Sequence, residues 1–253
     1  MMRNGLRRQR FSRLELLPVE LLHEIQLYAL SHHLPCTSGS LHQIFKFAPP
    51  SFKAEYIYLR LCGTTDCFYS KALRYPLCSL EVLRFIKQYT QKTEINSIVI
   101  KTPKRLFQGL APRKYGSMWT DQDHPLPFIR GLYSEGFSLD IHSMNDYPLI
   151  KAVHTGFEAL VQFLLEKGAS PAYKDNLAVR VAIRRKDLRL VKLLVERSES
   201  GEKKTKKRKL EDRVTITKDL LKLAVKCNTQ EIVDYFTQEK GCVPDMQTLY
   251  LMH

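Results

Sequence analysis

The sequence is short of the features that mark exported, membrane-spanning or cofactor-dependent proteins. No window holds about 18 unbroken apolar residues, so no membrane-spanning helix and no membrane partner are expected. The first residues are rich in arginine and lack a continuous apolar core, so a secretory signal is not expected. An Arg-rich, acid-poor start also fits a mitochondrial presequence, but here it runs straight into an apolar helical pattern. Six cysteines (Cys36, Cys62, Cys67, Cys78, Cys227, Cys242) are too few for a disulfide framework in 253 residues. The thiols are expected to stay reduced, in the nucleus and/or cytoplasm. Cys62 and Cys67 lack a second ligand pair at zinc-site spacing, so no metal is expected and buried or half-buried free thiols are.

Motifs of catalysis are missing as well. There is no glycine-rich phosphate loop, no nucleophile elbow and no zinc-protease helix, so the chain is expected to be no enzyme and to need no cofactor. Asp121, Asp123 and His124, near the single tryptophan Trp119, form a polar cluster. A loop before a helix at Pro125, with an aspartate as its cap, accounts for them. His32-His33 reads as a helix end, where imidazolium favours the C-terminal dipole.

What is present begins with charge. The formal charge of +14 is unevenly spread. Arg3, Arg7, Arg8, Arg10 and Arg13 give residues 1–13 a charge of +5, a basic arm. Residues 201–213 carry seven Lys/Arg against three acids, or +4. The run Lys203, Lys204, Lys206, Lys207, Arg208 and Lys209 reads as a nuclear localisation signal or a weak nucleic-acid contact. A solvated charged loop reads from the same residues. Base stacking would want aromatics interleaved with the cations, and the run has none.

Four regions separate by composition: the arm at 1–13, compact helical patterns over 14–60, a mixed stretch over 61–145 and internal repetition over 146–253. The repetition is the strongest signal. Residues 147–166 lie over 177–196 at an offset of 30 without a gap. The shared apolar seam pairs Leu149 with Val179, Ala152 with Ala182, Leu160 with Leu190, Val161 with Val191 and Leu164 with Leu194. A third copy follows at an offset of 42, where Leu221, Ala224, Ile232, Val233 and Phe236 take the same roles. The twelve extra residues fall in the basic loop near 197–214. Each copy reads as two helices around a turn at Gly156, Lys186 or Asn228. The second helix is apolar at i, i+1, i+4 and i+5, a stripe that one hairpin cannot bury alone, so copies must stack. Further upstream, Phe128, Ile129, Leu132, Tyr133 and Gly136 precede their counterparts by 32 residues, and residues 79–86 read as another second helix. Unrelated core helices explain these two stretches equally well.

The run Tyr147-Pro148-Leu149-Ile150-Lys151-Ala152, then Gly156, Leu160-Val161, Leu164-Leu165 and Gly168-Ala169-Ser170-Pro171, resembles the ankyrin repeat. That family reads Thr-Pro-Leu-His-x-Ala early, with a glycine at the mid-turn and Gly-Ala-Asp late. Tyr147 and Ile150 depart from it, and the hydrogen bonds of that threonine and histidine are absent. The resemblance implies an all-α fold, a helical repeat stack or solenoid that binds proteins.

Leu16-Leu17-Pro18-Val19-Glu20-Leu21-Leu22-His23-Glu24-Ile25 puts a proline at a helix start and then a stripe at Leu21, Leu22 and Ile25. It resembles the opening of the F-box motif, Leu-Pro-x-Glu-Leu-Leu-x-x-Ile, matched by Leu17, Pro18, Glu20, Leu21, Leu22 and Ile25. The later tryptophan of that family is missing. The resemblance implies docking on the Skp-type adaptor of a cullin ubiquitin ligase, with the repeats capturing a substrate. A merely structural amphipathic helix and a nuclear escort without a ubiquitin role are the other readings of these segments.

Overall fold

A computed structural model describes residues 12–62, 67–90, 98–113, 119–144, 146–197 and 212–252, which are mostly helical. The chain divides into two compact units, Met1–Ile100 and Lys101–His253. No helix among the described residues is long and apolar enough to cross a membrane.

The first unit holds α1 (Val19–Ala29), α2 (Gly39–Lys46), α3 (Pro50–Leu61), α4 (Phe68–Ala72) and α5 (Leu80–Tyr89). Its helix starts follow local chemistry. Ser12 and Glu15 form a capping box ahead of α1, Ser38 Oγ accepts from the Leu41 N–H at 3.2 Å, and Pro50 opens α3 where no N–H is needed. Pro18 stands at the N-cap of α1, one place before the first turn expected for it. Leu30 ends α1 in the left-handed region, and the carbonyls freed there find donors from α1 and α3. The Arg60 guanidinium donates to Leu30 O at 2.6 Å, while Gln26 and the Tyr56 hydroxyl donate to Ser31 O. His32 lies beyond this end, its Nδ1 3.2 Å from the Arg60 guanidinium. The first three helices share a core of Leu22, Leu41 and Phe45, with Leu14, Leu17, Leu34, Ile44 and Phe52 packed on it. α3 also packs against α4 and α5.

The all-α expectation needs a correction. Two four-residue strands, β1 (Ile98–Lys101) and β2 (Phe137–Asp140), pair as a sheet. β-branched Ile98, Val99 and Ile100 favour the extended chain, and in β2 buried Phe137 and Leu139 alternate with half-buried Ser138 and Asp140. Runs of four are too short for a periodicity argument to separate from loop.

The second unit continues with α6 (Arg105–Gln108), α7 (Leu126–Ser134), α8 (Tyr147–Thr155), α9 (Glu158–Glu166), α10 (Tyr173–Arg184), α11 (Leu188–Val195), α12 (Lys218–Lys226), α13 (Gln230–Asp234) and α14 (Met246–Met252). α13 widens into one π-turn over Tyr235–Glu239. α10 is regular only from Leu177, because Lys174, Asp175 and Asn176 hold positive φ. Helices pair as hairpins, α8 with α9, α10 with α11 and α12 with α13. First helices lie side by side in the order α6, α8, α10, α12, α14, and second helices in the order α9, α11, α13. α7 extends the second row through an edge contact of Tyr133 with Phe163, ring centroids 5.7 Å apart.

The basic loop expected near 197–214 falls between α11 and α12. Its residues 198–211, with Lys203–Lys209 among them, lie outside the described residues. The chain on either side is held together: Arg213 N–H donates to Val195 O at 2.7 Å and its guanidinium to Leu193 O and Glu196 O. Lys240 adds ion pairs to Asp212 at 2.9 Å and Glu196 at 3.4 Å. The Tyr235 hydroxyl donates to Glu196 Oε1 at 2.8 Å, and burial first, then that carboxylate, pushes its ionisation far above the usual range. The end of α11 and the chain that leads into α12 therefore meet at Arg213, and the third hairpin packs beside the second.

Candidate functional site

The seam residues are the best placed of the expected set. Leu149, Ala152, Leu160, Val161, Val179, Ala182, Leu190, Val191 and Leu194 have no exposure, and Leu164 has 1%. Leu221, Ala224 and Phe236 are equally closed in the third hairpin. The turns repeat at atomic level. The N–H of Gly156, Lys186 and Asn228 bonds the carbonyl three residues back (Val153, Ile183, Val225). The next N–H, on Phe157, Asp187 and Thr229, reaches Ala152, Ala182 and Ala224 at 3.0, 3.3 and 3.3 Å. This double bond closes a helix C-terminus and forces positive φ at its middle residue. All three comply, with φ of 75° at Gly156, 60° at Lys186 and 52° at Asn228. Gly136 and Gly168 do the same after α7 and α9.

The first turn is buttressed from both sides in sequence. Arg185 Nη1 donates to His154 O at 2.6 Å, and its guanidinium lies so close to Gly156 that a Cβ there would meet Nη2. Trp119 Nε1–H donates to Thr155 O at 3.1 Å and the indole stacks on Phe157 with centroids 4.7 Å apart. The Arg113 guanidinium lies over the indole ring at 3.9 Å and pairs with Asp123 at 2.6 Å. Asp123 also accepts from the Thr120 N–H and hydroxyl, and these bonds, the backbone one first, hold its carboxyl below the usual range. The expected helix cap is thus a loop clasp, and Asp121 pairs instead with Arg130 at 3.0 Å. Burial, with Arg105 nearby, pushes the His124 imidazole down. Nothing in sequence spacing links Trp119 to the turn 36 residues later.

Asp146, just before α8, is buried to 2% of its side chain and sits at φ 52°. Its oxygens accept no well-aligned hydrogen bond among the described residues, and His142 Nδ1 lies 2.9 Å from Oδ1. Burial pushes the carboxyl above its usual range, against the pull of His142. The folded chain therefore holds this proton more tightly than the unfolded chain does. Its contribution to stability is full below the ordinary carboxyl range and is lost as pH rises through the raised value. Asp146→Asn keeps a side chain that tolerates positive φ and removes the buried charge. The variant is expected to melt above wild type at neutral pH, with the gain vanishing below about pH 4. Paired thermal melts at neutral and acidic pH check this.

In the first unit the F-box-like residues part company. Leu22 is fully buried and Leu17 half-buried in the core, whereas Pro18, Glu20 and Leu21 are exposed and Ile25 is half-buried. Leu16, Val19 and Leu21 place an apolar patch in solvent at the start of α1. The cysteines differ from expectation: Cys36, Cys62 and Cys67 are exposed, because they fall at helix ends and turns.

With the hairpins placed, comparison with known families gives one finding. Residues 144–176 match the ankyrin repeat. The match spans α8, α9 and the approach to α10. No curated protein and no solved structure matches the chain. The ankyrin repeat suggests a protein–protein interaction module and implies protein partners in general. Alignment of the hairpins on that repeat exposes residues that apolar matching overlooks. Arg180 falls on Lys222, and His154 on Arg184 and Lys226, all on the row of first helices.

Proposed function

We propose that this chain is a non-enzymatic substrate-recognition subunit of a cullin ubiquitin ligase, docking on the Skp-type adaptor through α1 and binding its target with a solenoid of ankyrin-like repeats. The observation that carries the binding part is the side-by-side order of three hairpins with identical turn bonding, the first of which matches the ankyrin repeat. Stacked hairpins expose their first helices and turns as one continuous surface while sharing a closed seam, an arrangement suited to a protein partner. The docking part rests on the match of Leu17, Pro18, Glu20, Leu21, Leu22 and Ile25 to the F-box opening and on the solvent-facing Leu16, Val19 and Leu21. Leu17 and Leu22 hold the helix that presents this patch. The basic run Lys203–Lys209 directs nuclear entry in this reading, and loss of residues 202–210 leaves the protein in the cytoplasm.

Co-purification with the adaptor tests the docking. Wild-type chain is expected to retain adaptor, and Leu21→Asp to lose it while keeping the wild-type helical spectrum. Absence of adaptor from the wild-type complex removes the ligase role. Affinity capture of a different protein in its place favours an escort or scaffold without ubiquitin chemistry.

A further inference from the structure

The first-helix row carries basic side chains at matched register. His154 on α8, Arg184 on α10 and Lys226 on α12 occupy one position of the repeat and are exposed. One turn earlier, Arg180 and Lys222 share a position and are half-buried. Among the described residues neither Arg180, Arg184 nor Lys226 has an ion-pair partner, and Lys222 donates to the neutral amide of Gln247 at 2.5 Å. Arg185 is spent on the His154 carbonyl. The acids of these helices, Asp175 and Asp219, lie toward the helix starts and line one cavity with Arg180, while Arg184 and Lys226 stand at the other ends. The simplest explanation is the helix macrodipole, which favours cations in the last turn. It accounts for Arg184 and Lys226. Its effect fades within that turn and does not reach Arg180, beside Asp175 and Asp219, or Lys222, which Gln247 holds.

We infer that this row is a docking ladder for an extended acidic peptide segment lying across the first helices, with carboxylates at about every third residue. The inference rests on the protein-binding reading above and names its partner class. Packed helices stand roughly 8–10 Å apart, and three residues of extended chain span about 10 Å, so successive rungs meet successive carboxylates. Nucleic acid fits less well. Base stacking needs aromatics among the cations, and the neighbouring half-buried positions are Ile150, Val181 and Leu223. Those side chains offer apolar contact to the residues between the acids. Unpaired cations already ordered on helices also steer an acidic chain to this face, and salt weakens the attraction.

Anisotropy of a labelled peptide with glutamate at every third position, read against the full chain, tests the ladder. Two variants of equal charge loss separate site from bulk charge: Arg180→Ala/Arg184→Ala/Lys226→Ala, and Lys206→Ala/Lys207→Ala/Arg208→Ala. The ladder variant is expected to bind about tenfold more weakly and the other within about twofold of wild type. Arg184 and Lys226 are exposed and Arg180 half-buried, all at helix positions that alanine favours, and thermal melts verify the fold. Equal losses in both variants, or no loss in the ladder variant, overturn the assignment. So does a single-stranded oligonucleotide that binds more tightly than the peptide with the same ladder dependence. Adaptor co-purification is unaffected by the ladder variant, so failure here leaves the protein-binding reading standing.

Discussion

Leu190→Ala is expected to destabilise the second unit by about 2–5 kcal/mol, read from urea unfolding followed by circular dichroism. Leu190 has no exposure and opens the buried stripe of α11, which lies between α9 and α13. Truncation removes the transfer free energy of the lost methyl groups and leaves a cavity that packed helices close only in part. In a stack each hairpin is stabilised chiefly by its neighbours, so a weakened middle layer lowers the stability of both flanking ones. The transition is therefore expected to shift as a whole. The neighbouring Arg189→Ala, at an exposed site, is expected to stay within about 0.5 kcal/mol of wild type. A Leu190→Ala effect as small as that of Arg189→Ala would mean that α11 is not seated in a shared core.

Leu22→Asp carries the second large effect. The side chain is fully closed in the core of Leu22, Leu41 and Phe45, with Phe52 and Leu17 around it. A carboxylate there would sit among apolar side chains, and burial of an unpaired charge costs several kcal/mol, comparable with the whole stability of a small domain. The variant is expected to lose the helices of the first unit, with the fall in helical signal and gain in protease sensitivity confined to residues before 100. Leu21→Asp, at 45% exposure, is expected to leave both unchanged. Adjacent leucines thus separate folding from docking. A double change at both sites mixes the two and says nothing about the adaptor. If Leu22→Asp folds like wild type, α1 does not lie on that core.

The contrast between the two units shows what a sequence makes legible. The second was readable because its copies supply their own control. Ala152 with Leu160, Ala182 with Leu190 and Ala224 with Ile232 keep one spacing within each copy, and chance rarely repeats an amphipathic stripe with a small residue in register. Even the departures were informative. Lys186 and Asn228 stand where the first copy has Gly156, and the backbone nevertheless takes the same positive φ there. The strands lacked any such echo, since four residues offer only two alternations. Contacts between distant segments were invisible for another reason. Trp119 on Phe157 and its indole bond to Thr155 O depend on where a loop returns, which no local period encodes. The cationic ladder was written in the repeat alignment but required the first helices to lie side by side before it acquired meaning. For α1, the apolar stripe marked a helix, and only burial divided Leu22 from Leu21.

The register of the hairpins is tested most directly at the second turn, where the copy departs from glycine. A left-handed residue with a side chain costs about 1 kcal/mol more than glycine, whereas glycine elsewhere in a helix end costs up to about that amount. Single glycine substitutions at Arg184, Arg185, Lys186, Asp187 and Leu188, compared by thermal unfolding, are predicted to lower the midpoint everywhere except at Lys186, where it rises. A midpoint that falls at Lys186 along with its neighbours would contradict the matched turns, and with them the stacked surface on which the binding role depends.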